Sequence, residues 1–308
     1  MTNIKPSKQE LNLILLGLIL LFVAWLLLLV EPIIHSQPYN STALVNTTVN
    51  ITNSAPMVYN VYLDNPVNLI AYDNKTVYCN ATIFDFDNQT ISVNATLYIV
   101  GITDENSVDD GNDHYTNTSC SRASPQDREM QYRCTFSVRY YANNNTNWRC
   151  NVTAKDTGNA INSNISNLAT INPLVAIKLP SLIDYGDLAV WDISPDIDAN
   201  VTNAGNRDAN ISVEGWGSTP GDGLAFVCDY GNIAISYERY NTTQGTGNYN
   251  DMYQLSTITT MIPNFYVPQR TSELLDSFNP TWWKVQIPIG AGGICNGTIL
   301  FTATDRGN

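Results

Sequence analysis

The chain opens on one long apolar run and then settles into short stretches in which apolar and polar residues alternate. The run bounded by Leu11 and Val30 reads LNLILLGLILLFVAWLLLLV and carries no charge. A helix rises about 1.5 Å per residue, so residues 11–30 match a hydrocarbon core of about 30 Å and are expected to form a transmembrane helix. Beyond them, period-two patterning predicts a first group of strands over residues 58–63, 66–72, 76–84, 91–100, 131–140, 148–155 and 167–171. A second group is predicted over 197–202, 209–214, 224–228, 283–287 and 297–302. In TVYCNATIF (76–84), Val77, Cys79, Ala81 and Ile83 fall on one face, as alternate residues of a strand do. The turn Asn203-Ala204-Gly205-Asn206 predicts a hairpin between 197–202 and 209–214. Short strands with polar turns are the pattern of β-sandwiches. The expected order is an N-terminal segment (1–10), the helix (11–30), a stalk (31–55), one sandwich (56–172) and a second (173–308).

Charge gives the helix a direction. Lys5 and Lys8 precede the run, and the next Lys or Arg is Lys75. Basic residues stay on the cytoplasmic side, so residues 1–10 are expected inside and the β-rich remainder outside, in a single-pass protein of the cell membrane. A cleaved signal peptide is the competing reading, but its nearest cleavage candidate, Ile34-His35-Ser36, has Ile where a small residue belongs. The formal charge of −13, without any cluster of Lys or Arg, argues against nucleic acid and anionic lipid surfaces as partners.

Asparagine sharpens the outside assignment. With 38 Asn and 50 Ser plus Thr, chance gives about 6 Asn-x-Ser/Thr triplets. The chain has 15: Asn40, Asn46, Asn50, Asn74, Asn80, Asn88, Asn94, Asn117, Asn144, Asn151, Asn164, Asn200, Asn210, Asn241 and Asn296, all beyond the apolar run. N-linked glycans on an outer surface are the expectation, and the three triplets within 31–55 read as a glycosylated stalk. Six cysteines, again all outside, suit an oxidising compartment. They allow 15 pairings. Bridges confined to one group of strands favour Cys79–Cys150, Cys120–Cys134 and Cys228–Cys295.

TVYCNATIFDFDNQTISVNATLYI together with NWRCNVTAKDTGN resembles the immunoglobulin-like modules of archaeal cell-surface proteins, over residues 56–172. The resemblance implies an inter-sheet Cys79–Cys150 bridge between strands of the B and F type. It also places Trp148 where such domains keep a corner tyrosine, which leaves that corner's hydrogen bond open. ANVTNAGNRDANISVEG is similar to the V-x-N-x-G-N turn of the CARDB and NEW3 types of surface β-sandwich, accessory modules of larger secreted proteins. IKLPSLIDYG and CNGTILFTA, at the two ends of 173–308, resemble secreted proteins of small-genome archaea. The implied fold is an all-β ectodomain of two tandem immunoglobulin-like sandwiches behind one transmembrane helix.

Candidate chemistry is sparse. Asp104, Glu105, Asp109, Asp110 and Asp113 place five carboxylates in ten residues. Calcium takes six to eight oxygens, so Asp104, Asp109, Asp110 and Asp113 are candidate ligands, although EF-hand spacing fails at Val108. The plain alternative is an exposed acidic turn. Asp85 and Asp87 are a second candidate pair, for a cation between the modules. No other cofactor is implied. His114, beside Asp113, reads as a solvated loop histidine, since no G-x-S-x-G supplies a nucleophile. Trp191, Trp216, Trp282 and Trp283 are readable as sugar-stacking residues or, more simply, as core. Residues 245–280 read as a long irregular loop, and Tyr249, Tyr253, Phe265, Tyr266 and Trp282 as a glycan-poor contact patch, toward another surface protein or a copy of the chain. Together these features indicate a non-catalytic surface protein for envelope structure or adhesion. A subunit of a type IV pilin-like filament is the alternative, suggested by Glu10 before the run, and a secreted glycan hydrolase is a lesser one.

Overall fold

The computed structural model describes residues 8–29, 42–245 and 248–307, divided into two units between Asn50 and Ile51. His35, Asn40 and the first part of the expected stalk lie outside the described residues. The first unit holds α1 (Lys8–Leu29), 22 residues long. Its described side chains are exposed on every side except at Gly17. They run unbroken over residues 12–28 only, and among the described residues no helix is long and apolar enough to count as a membrane span. The expected helix is therefore present, while its crossing of a bilayer is not shown. Residues 42–50 carry no regular structure.

The second unit is all β apart from two short 3-10 turns. In its first half, β1 (Met57–Leu63), β2 (Lys75–Phe84), β6 (Glu129–Val138) and β5 (Ser121–Arg122) lie in the order β1-β2-β6-β5. Facing them are β4 (His114–Asn117), β3 (Ser92–Ile99), β7 (Trp148–Lys155) and β8 (Ile161–Ile165), in the order β4-β3-β7-β8. Strict alternation dictates the packing: β6 buries Met130, Tyr132, Cys134, Phe136 and Val138 and exposes the residues between. β7 turns Trp148, Cys150, Val152 and Ala154 to the same core. Cys79 of β2 is bonded to Cys150 of β7 across the two sheets, and Cys120 to Cys134. Trp148 is fully buried, and its indole N–H donates to the Asn143 carbonyl at 2.9 Å. The indole thus bonds a backbone carbonyl five residues upstream. Residues 66–72 form no strand, only a bridge from Val67 to Ile171, since Pro66 has no N–H to give a ladder.

In the second half, β15 (Tyr253–Gln254), β14 (Glu238–Asn241), β17 (Phe278–Val285), β10 (Ile197–Asn203) and β9 (Ile177–Lys178) form one sheet in that order. A second holds β16 (Thr260–Val267), β11 (Ala209–Trp216) and β19 (Thr298–Asp305). A third, small sheet of β13 (Asn232–Ala234), β12 (Leu224–Tyr230) and β18 (Gly292–Asn296) is tied by Cys228–Cys295, which stand directly opposite one another.

Two expectations need correction here. β10 and β11 form no hairpin: β10 pairs with β17 and β9, and β11 with β16 and β19. Ala199 and Val201 on one strand and Ile211 and Val213 on the other face a common core, and strands on opposite sides of a core share no ladder. Residues 245–280 are no irregular loop either, since they contain β15, β16 and the start of β17. A bulge in β16, with Asn264 at φ +55, breaks the alternation that would have revealed it.

The turn after β10 plugs the seam between the halves. Asn206 is fully buried; its amide donates to the Ala142 carbonyl at 2.9 Å and the Asn172 carbonyl at 3.2 Å, and its Oδ1 accepts the Leu174 N–H at 2.6 Å. Gly205 beside it leaves no room for a Cβ, which would collide with the Leu174 carbonyl oxygen. The Tyr72 N–H donates to the Ala204 carbonyl at 3.0 Å, and Arg139 pairs with Glu273 at 2.7 Å across the same seam.

Candidate functional site

The acidic loop uses its carboxylates on itself. Asp110 accepts the backbone N–H groups of Asn112, Asp113 and His114 at 2.8, 2.7 and 3.1 Å. Asp104 accepts the Asn106 N–H at 2.9 Å. Asp109 accepts the Thr116 N–H at 3.0 Å and faces His114 Nδ1 at 2.8 Å. Burial pushes the Asp113 carboxyl above its ordinary value. Among the described residues no three metal-ligating side chains come together. His114 is not solvated: it lies fully buried on β4, with Nε2 unpartnered. Asp85 and Asp87 are not at the seam. Asp85 is buried and takes the Gln89 N–H, while Asp87 takes the Ser54 N–H at 2.5 Å. The β2–β6 ladder puts the seam beside Lys75 and Val138 and these aspartates just past its other end, Phe84 and Glu129. Asp87, which takes Ser54, and Asp156, which takes the Asn53 amide at 3.1 Å, fasten residues 53–54, part of the expected stalk, to the first sandwich.

The five residues of the expected contact patch separate. Tyr249 and Phe265 are buried, and buried rings offer no contact area to a partner. Tyr249 lies under the Arg239 guanidinium, 4.6 Å from its ring centroid, and its hydroxyl donates to the Tyr237 carbonyl. Tyr266 and Trp282 are half-buried; the Arg306 guanidinium stands 3.5 Å over the Tyr266 ring. Tyr253 alone is exposed, on the edge strand β15. Of the tryptophans, Trp283 is core and Trp216 half-buried, whereas Trp191 is 60% exposed.

Trp191 marks a surface that the strand pattern conceals. Its backbone sits at φ +73, a left-handed conformation that costs a bulky residue energy. The Trp191 N–H donates to the Ile287 carbonyl at 2.8 Å and the Ile287 N–H to the Asp192 carbonyl at 3.0 Å, which docks residues 191–193 beside 286–287. The next loop reaches the small sheet, where Gly231 approaches Gly290 so closely that a Cβ would strike its carbonyl. Trp191, Tyr230, Ile289 and Ile294 are thereby exposed at the end of the second half opposite the seam. Residues 181–195, 217–236 and 286–295 contain no glycosylation triplet, five aspartates (Asp184, Asp187, Asp192, Asp222, Asp229) and no Lys or Arg. Asp222 shapes this end by accepting the backbone N–H groups of Ser218, Leu224 and Thr219, which hold its carboxyl down to about 2. Among the described triplet asparagines none is buried, although Asn117 and Asn164 donate their amides to the Thr135 and Val58 carbonyls.

A residue that sequence reasoning missed is Glu238. It is 2% exposed, and the Tyr185 hydroxyl donates to its Oε1 at 2.7 Å. Burial pushes its carboxyl up to about 7 against that bond. A charge on the same face as Tyr240, two residues before it in an alternating strand, was the available signal.

No protein-family model matches the chain, and no curated protein is similar to it in sequence. Among solved structures it is similar to a chain of the chaperone–tip adhesin complex of CFA/I fimbriae, at 8% identity over 80% of each chain with a TM-score of 0.30. It is also similar to the CupB6 tip adhesin from Pseudomonas aeruginosa, at 10% identity over 81% of this chain and 92% of that one with a TM-score of 0.22. Likeness at this level fixes neither detailed fold nor activity.

Proposed function

We propose that the chain is a non-catalytic, glycosylated surface protein, held in the cell membrane by α1, that contacts another protein through the end bearing Trp191. The observation that carries this reading is α1 itself: 22 residues, about 33 Å long, with every residue from Leu13 to Leu28 apolar. A helix apolar all round needs lipid or protein about it. The disulfide-bonded β unit and the glycosylation triplets, none of whose described asparagines is buried, fit the outer side of a membrane. The strand orders β1-β2-β6-β5 and β4-β3-β7-β8 correspond to A-B-E-D and C′-C-F-G, which supports an immunoglobulin-like module over 56–172.

The contact partner is a protein surface with Lys and Arg around an apolar centre. The segments of the Trp191 end carry five aspartates and no Lys or Arg, and buried Trp and Arg anchors dominate protein contacts. A second copy of the same end is disfavoured, because it would bring aspartates against aspartates. Protease added to intact cells should remove the β unit and leave α1 in the carbonate-washed membrane. Protection of peptides containing Cys150 would overturn the topology. The filament reading keeps one support, the position of Glu10 in the first turn of α1. Recovery of Met1–Lys8 peptides from the mature protein would exclude a processed filament subunit.

A further inference from the structure

A cavity of about 310 Å³ opens into the side of the second sandwich, where its sheets part between Ala199 of β10 and Ile299 and Phe301 of β19. Residues 179–185 cross over it without forming a strand. The walls mix polar and apolar surface: Tyr185, Phe226, Ile299 and Phe301 supply apolar side chains, Ser181 and Thr298 hydroxyls, and Glu238 reaches the cavity from within the sandwich. Among the described residues no Lys or Arg lines the space, and no described salt bridge involves Glu238. We propose that this cavity binds a small organic amine, an ammonium group on an apolar body about one ring in size, with Glu238 as its counter-ion.

The chemistry follows from what the site lacks. A buried carboxylate without a cation pays heavily for lost hydration, and an entering ammonium restores the missing partner. The faces of aromatic rings attract cations, and Phe226, Phe301 and Tyr185 line the space. The Tyr185 hydroxyl, 2.7 Å from Oε1, acts as a positioning residue for the carboxyl. The volume lies at the small end of the range for ligand sites, which suits one ring rather than a drug-sized molecule. The cavity shares residues 181–183, Tyr185 and Phe226 with the segments of the Trp191 end, but its test reads Glu238 and leaves Trp191 in place, so either reading stands if the other fails.

The test is a titration of 4-fluorobenzylammonium into the full-length protein in detergent micelles at pH 8, followed by fluorine NMR, with empty micelles subtracted. Saturable binding is expected, weakened at least tenfold by Glu238→Gln. Thr298→Trp, which blocks the mouth and leaves the carboxyl in place, should weaken it similarly. 4-Fluorobenzyl alcohol, of equal size and no charge, should bind more weakly and without preference between the native protein and E238Q. Absence of saturable binding, affinity unchanged in both variants, or an alcohol as tightly bound as the amine would each overturn the proposal.

Discussion

Glu238→Gln isolates the energetic consequence of burying one carboxyl. Burial raises the Glu238 pKa from its ordinary value of 4.5 to about 7. The folded protein therefore keeps a proton that the unfolded chain releases. Stability contributed by that proton is complete below about pH 4.5 and is lost as pH rises through about 7. At about 1.4 kcal/mol per pH unit, the loss amounts to about 3 kcal/mol. Gln has nearly the same shape, keeps an acceptor for the Tyr185 hydroxyl and cannot ionise. Urea denaturation of the full-length protein in detergent micelles, read by tryptophan fluorescence at pH 4.5 and pH 8.5, gives the pH dependence of each form. The native protein should lose about 3 kcal/mol more than the variant over that interval, because every other titrating group is common to both. Parallel pH curves would refute the burial argument and return Glu238 to an ordinary glutamate.

Asn206→Ala should destabilise the second unit by about 2–4 kcal/mol in the same assay, because it strands the Leu174 N–H and two buried carbonyls at the seam. Replacing Cys79 and Cys150 together by Ala should cost about 2–5 kcal/mol by removing the inter-sheet bridge; an unchanged denaturation midpoint would contradict the cross-link. Trp191→Gly should raise stability by about 1 kcal/mol, since glycine accepts φ +73 without strain. The same change should reduce crosslinking of the protein to basic partners on intact cells, and unaltered crosslinking would count against the contact surface.

The strands that the sequence revealed are those with one face in a core and the other in water. β2, β6 and β7 alternate almost without error, so their faces and their cysteines could be assigned from the pattern alone. β16 was hidden because Pro263 and Asn264 interrupt its alternation. The Asn203–Asn206 stretch had the composition of a hairpin turn, and composition does not say whether the following strand joins the same sheet or the opposite one. His114 looked polar and local, yet the turn of β3 into β4 buries it beside Tyr98. The Trp191 surface depends on three segments far apart in the chain, and Glu238 depends on a cavity closed by residues 179–185. Neither relation has a local signature.

The seam also sets an order of events during synthesis. Asn206 caps the carbonyls of Ala142 and Asn172, and Glu273 and Gln269 meet Arg139 and Tyr141. A ribosome adds about 5–20 residues per second, and domains generally fold as they emerge. The first sandwich is therefore complete in sequence at residue 172, but the residues that cover its end arrive about 35 to 100 positions later. For several seconds it presents exposed carbonyls and the Tyr140 and Tyr141 rings, which Arg270 later covers, to the surroundings. A cell making this protein needs a chaperone, or speed of export, for that interval, and slowing translation between residues 172 and 276 should increase its aggregation.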